Sequence, residues 1–163
     1  MWTFNVAREL FATAGYNVLP SVVPHEDKDM FDLYSKALQD DTQSNRYCMK
    51  VHTILKENIK KSKVISTIRD PRDVCLSFKN FMKCDFSHAL NAAKNIVDCV
   101  AIYEHYSSDY LTFVKYEDVN DRPYNAIKKI DEFLELQTSD ADIKCIVEKF
   151  SKTNVKNLIA QST

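Results

Sequence analysis

Glycine is almost missing from this sequence: Gly15 is the single glycine among 163 residues, where an average composition of about 7% would give roughly eleven. A glycine-rich phosphate loop of the Gly-x-x-x-x-Gly-Lys-[Ser/Thr] type is therefore excluded from these residues. Collagen-like, low-complexity and disordered classes are excluded as well, because 45% of the residues are apolar and 11% aromatic. The length predicts a single domain over residues 1–163 with a packed core.

Metal-binding cysteine pairs and long apolar runs are also lacking. The five cysteines form no C-x-x-C pair and no Cys/His cluster with zinc spacing, so we expect no metal. An odd number of scattered thiols is typical of a protein in a reducing compartment. The longest uncharged run, residues 10–24, is interrupted by Gly15 and Pro20, which fits neither a membrane span nor a signal peptide. We expect a soluble cytoplasmic protein without a nucleic-acid partner.

Positive charge is concentrated in the middle of the chain. Residues 46–83 carry ten basic and three acidic side chains, a local net charge of +7, whereas the segments on either side carry −4 each. The overall formal charge of −1 conceals this segregation. Such a surplus indicates an anion site, although a solvated basic face accounts for it equally well.

Strand-like segments alternate with amphipathic helices along the chain. This order predicts an α/β fold, with a parallel sheet and helices on both of its faces. The predicted elements are a helix over 2–14 closed by Gly15, a short strand and loop over 16–23, a helix over 29–38, strands over 46–52 and 63–68, a helix from Asp70-Pro71 to Met82, a helix over 86–101, a strand over 110–115, a helix capped near Asp121 and Pro123, and a helix opened by Ser139-x-x-Asp142.

The most informative stretch is residues 64–78, in which an apolar strand ends at Arg69, turns through Asp70-Pro71 and starts a helix. Aspartate caps helices and proline is favoured at the first helical position. A guanidinium is thereby placed beside a helix N-terminus, and both groups favour a phosphate. The alternative is that Arg69 and Arg72 pair with Asp70 and Asp73 at a surface turn.

Three segments resemble the sulfotransferases that use 3′-phosphoadenosine 5′-phosphosulfate as donor. The stretch from Arg69 to Ser77 matches that family's 3′-phosphate-binding pattern, Arg-[Asn/Asp]-Pro-[Arg/Lys]-Asp-x-x-x-Ser, including the spacing of eight. Residues 47–52 are similar to its Lys-Thr-His segment, with Val51 in place of threonine. Residues 114–118, Val-Lys-Tyr-Glu-Asp, are similar to its Tyr-Glu-Asp segment, and a helix follows in both.

The resemblance implies roles for four residues, and strand geometry adds a fifth. Arg69 and Ser77 would hold the 3′-phosphate of the donor, Tyr116 would lie near its adenine, and His52 would deprotonate a small-molecule or glycan hydroxyl acceptor. Along a strand Lys50 and His52 would share a face, which places positive charge beside a group that titrates near neutral pH. A histidine merely hydrogen-bonded at a strand end, and a Tyr116 that is ordinary core, remain alternatives.

One motif of the family has only its tail in this sequence. The second donor site of the family is a strand followed by Pro-[Lys/Arg]-Ser-Gly-[Ser/Thr]-[Ser/Thr]-Trp, of which Met1-Trp2 and the next helix are similar to the end. The implied fold is therefore a P-loop NTPase-like sulfotransferase fold truncated at its N-terminus, and we expect weak donor binding and poor turnover by this chain alone. A non-catalytic sulfotransferase remnant and a kinase-like P-loop relative remain alternatives. Neither the acceptor nor the oligomeric state follows from the sequence.

Overall fold

A computed structural model describes residues 2–22, 27–51, 61–103 and 108–154 of the protein. Helices and parallel strands alternate along these ranges, as predicted for an α/β protein. The elements are α1 (Trp2–Thr13), β1 (Asn17–Leu19), α2 (Asp27–Gln39), β2 (Asn45–Tyr47), β3 (Val64–Ile68), α3 (Pro71–Met82), α4 (Phe86–Tyr103), β4 (Leu111–Lys115), α5 (Tyr116–Asp121), α6 (Pro123–Leu134) and α7 (Asp140–Lys149).

Within the described ranges the strands form two parallel pairs rather than one continuous sheet. Strand β1 pairs with β2, and β3 pairs with β4. The register of the second pair places Val64 opposite Leu111 and Ile68 opposite Lys115. Because both strands of this pair run in the same direction, the residues that follow them emerge at one edge.

The main core lies between α1, β4, α6 and α7. Val6 and Leu10 of α1 are fully buried against the isoleucines of α6 and α7, and Trp2 and Ile65 pack on the same cluster. Burying an aliphatic side chain of this size contributes roughly 1.5–3 kcal/mol, so this cluster supplies most of the hydrophobic stabilisation of the fold. The buried members are Val6, Leu10, Val114, Ala126, Ile127, Ile130, Ile143 and Ile146.

Helix ends follow the capping residues that the sequence contains. Gly15 adopts φ 84° just after α1, a conformation that favours glycine. Asp70 caps α3 by accepting from the backbone N–H of Arg72, and Ser139 caps α7 by accepting from that of Asp142. These three predicted boundaries are confirmed.

Two predicted boundaries are wrong. Of the strand expected over residues 46–52, β2 covers Asn45–Tyr47 and residues 48–51 are not strand, because the partner β1 ends at Leu19 and the next residue, Pro20, has no N–H to continue a ladder. The cap expected at Asp121 is instead Arg122, which makes no side-chain capping bond. Asp121 belongs to the preceding helix α5, where no helix was predicted.

A second, smaller cluster joins α3 and α4. Its buried members, Cys75, Ala89 and Ala93, are small, and large side chains of the same helices are exposed, with Phe81 at 83%. This helix pair therefore buries much less apolar surface than the main core. Neither these helices nor the others in the described ranges are long and apolar enough to cross a membrane.

Candidate functional site

The paired ends of β3 and β4 bring Arg69 and Tyr116 into contact. Because Ile68 lies opposite Lys115 in the ladder, the next residue of each strand leaves the sheet at the same edge. The Arg69 guanidinium carbon lies 4.5 Å from the centroid of the Tyr116 ring, within the range of a cation–π interaction. Tyr116 is 38% exposed, so the ring is not part of the main core.

The guanidinium of Arg69 keeps unused hydrogen-bonding capacity. Its side chain is 32% exposed, and Nη2 lies 3.4 Å from Asp73 Oδ2, a long contact for an ion pair. Within the described part of the chain, the buried Nε has no hydrogen-bond partner. Buried donors are nearly always satisfied in proteins, so an unsatisfied one beside a helix N-terminus indicates a place for an acceptor.

Arg72, in contrast, is satisfied by its neighbour. Its Nε and Nη2 both donate to the Asp70 carboxylate, at 3.0 Å and 2.5 Å to the nearest oxygens. These bonds and the capping bond lower the pKa of Asp70 to about 2. The surface-turn alternative therefore describes Arg72 fully and Arg69 only in part.

A carboxylate from the first turn of α5 also reaches this turn. The backbone N–H of Asp70 donates to Glu117 Oε1 at 3.3 Å, so Glu117 joins the end of β4 to the start of α3. Glu117 was not among the site residues predicted from the sequence. Its contact depends on the register of β3 and β4, which no local sequence pattern contains.

The start of α1 lies beside the same strand. Thr3 Oγ1 and Thr67 Oγ1 share a hydrogen bond of 2.9 Å, and Thr67 precedes Arg69 by two residues. The N-termini of α1 and α3 are thus both near the carboxyl end of β3. Each helix N-terminus leaves backbone N–H groups without helical partners and adds a positive end of a dipole.

The remaining predicted site residues are not joined to this cluster. Ser77 lies in α3 with an exposed side chain, and its hydroxyl has no hydrogen-bond partner among the described residues. Lys50 is half-buried and lies beyond the end of β2, so the shared strand face with His52 has no support in the fold. His52 itself lies outside the described residues.

A groove of about 160 Å³ lies beside β4, lined in part by Lys115, Arg122 and Lys129. Two of these three cations already have partners, because Arg122 pairs with Asp118 and Lys129 donates to the Phe113 carbonyl at 2.7 Å. We therefore place the candidate anion site at Arg69 rather than in this groove.

Comparisons with known proteins agree with the motifs at this edge. The family model described as a sulfotransferase domain matches residues 5–163. A curated relative, the amine sulfotransferase of Oryctolagus cuniculus, is 30% identical over 118 residues, which cover 63% of this chain and 38% of the relative. The chain thus spans well under half the length of that relative. Because the domain match extends over nearly the whole chain, the protein belongs to the sulfotransferase family.

Proposed function

We propose that the protein takes part in transfer of a sulfuryl group from 3′-phosphoadenosine 5′-phosphosulfate to a hydroxyl or amine, and that Arg69 binds the 3′-phosphate of this donor. The observation that carries the proposal is the Arg69 guanidinium, which lies over the Tyr116 ring and whose buried Nε has no hydrogen-bond partner among the described residues. A phosphate oxygen would supply the missing acceptor.

The surroundings of Arg69 favour an anion of this kind. The N-terminus of α3 starts two residues later, and residues 46–83 carry a net charge of +7. The exposed hydroxyl of Ser77, which has no partner among the described residues, can donate a further hydrogen bond, and Tyr116 offers a ring face beside the arginine. We assign Ser77 to the 3′-phosphate and Tyr116 to the adenine.

The chemistry itself requires a base and neutralisation of charge. The acceptor oxygen or nitrogen forms a bond to sulfur, the bond from sulfur to the 5′-phosphate oxygen breaks, and the acceptor proton passes to a base. We assign that base to His52, and Lys50 to the charge on the transferred group, because positioning and electrostatic stabilisation carry most of such a reaction. The adenosine 3′,5′-diphosphate leaves as the second product.

We also propose that the chain has a P-loop NTPase-like fold. A P-loop NTPase-like sheet order would place α1 directly after the loop that holds the 5′-phosphosulfate, and the contact of Thr3 with Thr67 supports this position of α1. Residues 69, 77 and 116 account for the 3′ end of the donor alone. We therefore expect slow turnover by the 163-residue chain, even where nucleotide binding is measurable.

Calorimetric titration with adenosine 3′,5′-diphosphate tests the site. We expect the diphosphate to bind more tightly than ATP, and Arg69→Ala to weaken its binding at least about ten-fold, since a charge-assisted bond contributes roughly 1.5–3 kcal/mol. Arg72→Ala is the matched control, because it removes the same charge from the same turn, and it should weaken binding by no more than about three-fold. Equal affinities of wild type and Arg69→Ala would refute the assignment.

Two measurements separate the alternatives. A preference for ATP would favour a kinase-like relative. Binding of the diphosphate without its release from the donor, across a panel of phenols, alcohols, sugars and amines, would favour a non-catalytic remnant. The name of the rabbit relative makes amines the first acceptors to test.

A further inference from the structure

Two contacts join the turn that follows β3 to the start of α5, which follows β4, and they run in opposite directions. The side chain of Arg69, from the turn, lies over the ring of Tyr116 in α5. The side chain of Glu117, from α5, accepts a hydrogen bond from the backbone N–H of Asp70 in the turn. Together they fasten the Asp70 turn to the start of α5.

We propose that Glu117 is a positioning residue for nucleotide binding: it holds the Asp70 turn so that Arg69 and the N-terminus of α3 face the ligand together. This inference rests on the proposed function of Arg69. Glu117 need not touch the nucleotide, because it acts through the backbone N–H of Asp70, the residue between Arg69 and the first residue of α3.

The charge of Glu117 makes this role distinguishable from a simple electrostatic one. A carboxylate close to an anion site repels the ligand, so removal of the charge alone should strengthen binding. Removal of a positioning acceptor should weaken binding, because the turn and Arg69 gain alternative conformations that binding must then restrict. The two roles therefore predict opposite signs for the same alanine substitution.

Three substitutions separate the charge of the Glu117 side chain from the reach of its acceptor oxygen. Glu117→Gln keeps an oxygen acceptor at the same reach and removes the charge, Glu117→Asp keeps the charge and shortens the reach, and Glu117→Ala removes both. Glu132→Ala is the control, since Glu132 is exposed on α6 and its side chain makes no bond within the described residues. Each variant is titrated with adenosine 3′,5′-diphosphate, with wild type and Arg69→Ala alongside.

We expect Glu117→Ala and Glu117→Asp to weaken diphosphate binding about five-fold, while Glu117→Gln stays at least as tight as wild type, in keeping with one lost hydrogen bond. Hydrogen exchange of the Asp70 amide, measured by NMR in the free protein, should become faster in the alanine and aspartate variants and stay slow in the glutamine variant. Glu132→Ala should change neither quantity.

The outcomes separate this inference from the proposed function. If wild type binds, Arg69→Ala does not, and Glu117→Ala binds as tightly as wild type or more tightly, the role of Glu117 is refuted and the Arg69 site stands. Unchanged exchange of the Asp70 amide in Glu117→Ala also refutes the role. If wild type does not bind the diphosphate, both assignments fall.

Discussion

Within the described residues, the Arg69 guanidinium contacts the ring of Tyr116 and the carboxylate of Asp73. The carboxylate competes with an anion for one of the guanidinium N–H groups. A phosphate that binds Arg69 must therefore displace or share the long contact with Asp73. Asp73 thus stabilises the free protein and lowers the affinity of the site for its ligand.

Replacement of Asp73 tests this competition. We expect Asp73→Asn to tighten binding of adenosine 3′,5′-diphosphate about two- to three-fold, since exposed ion pairs are worth about 0.2–1 kcal/mol. The same substitution removes an acidic residue from the first turn of α3 and should lower the free energy of unfolding by about 0.5 kcal/mol. Calorimetry and chemical denaturation measure the two effects, and Asp142→Asn in the first turn of α7 is the control for binding. Weaker binding by Asp73→Asn would contradict the competition.

Single residues of the site were predictable to different degrees. Arg69, Ser77 and Tyr116 follow from motifs, but whether an arginine in such a turn is already paired depends on distances that no motif contains. The structure separates Arg72, which is bonded twice to Asp70, from Arg69, whose Nε is unpartnered within the described residues. Glu117 could not be predicted, because its contact with Asp70, 47 residues away in the chain, depends on the register of β3 and β4.

At the scale of elements, α3 is held at its start by one carboxylate that serves two groups. Asp70 accepts from the backbone N–H and from the guanidinium of Arg72, and both bonds are stronger to the ionised carboxylate than to the protonated form. The pKa of Asp70 is about 2 in the folded protein, against an ordinary value of 3.8. Because the folded-state pKa is lowered, the unfolded chain binds more protons than the folded protein between about pH 4 and pH 2. The stabilisation by the ionised Asp70 is therefore complete above about pH 4 and is lost as the pH falls through about 2.

Asp70→Asn tests this contribution, because asparagine caps helices about as well as aspartate but does not titrate. We expect a small change in the denaturation midpoint at pH 7 and a shallower loss of stability than in wild type between about pH 4 and pH 2. Urea denaturation across that pH range is the measurement. Parallel curves for the two proteins would show that Asp70 does not contribute in this range.

Elements with strong end signals were predicted best. The helices closed by Gly15 or opened by Asp70 and Ser139 have the expected boundaries, because their capping groups act within a few residues of chain. The length of the strand after Asn45 was overestimated. That length depends on the end of its partner β1, which Pro20 follows, and the local pattern does not show which strands pair. Helix α5 was missed because six residues, Tyr-Glu-Asp-Val-Asn-Asp, carry too little periodicity to be told from a turn.

At the scale of the whole molecule, the described residues form two hydrophobic clusters of unequal size. The larger joins α1, β4, α6 and α7 through fully buried aliphatic side chains, and the smaller joins α3 and α4 through a cysteine and two alanines. Sequence periodicity predicted that each helix has an apolar face, but which faces meet depends on packing between distant segments. The same limitation explains why one sheet was predicted where the described residues form two strand pairs.

Unequal clusters predict unequal stability. Native-state hydrogen exchange should give lower opening free energies for amides of α3 and α4 than for those of α1, α6 and α7, because the smaller cluster buries less apolar surface. Ile130→Ala should lower protection in the main core by about 2–5 kcal/mol, with a smaller effect on the local opening of α3. A single opening free energy shared by all these helices would contradict the division.

Trp2 gives this division an optical consequence. It is the single tryptophan of the sequence, and it packs on the larger cluster. Selective excitation of its indole therefore follows the melting of that cluster, whereas far-ultraviolet circular dichroism adds the signals of all helices. Two denaturation curves recorded with these probes would coincide for an all-or-none transition. A separation between them would show that helices outside the larger cluster, α3 among them, melt apart from it.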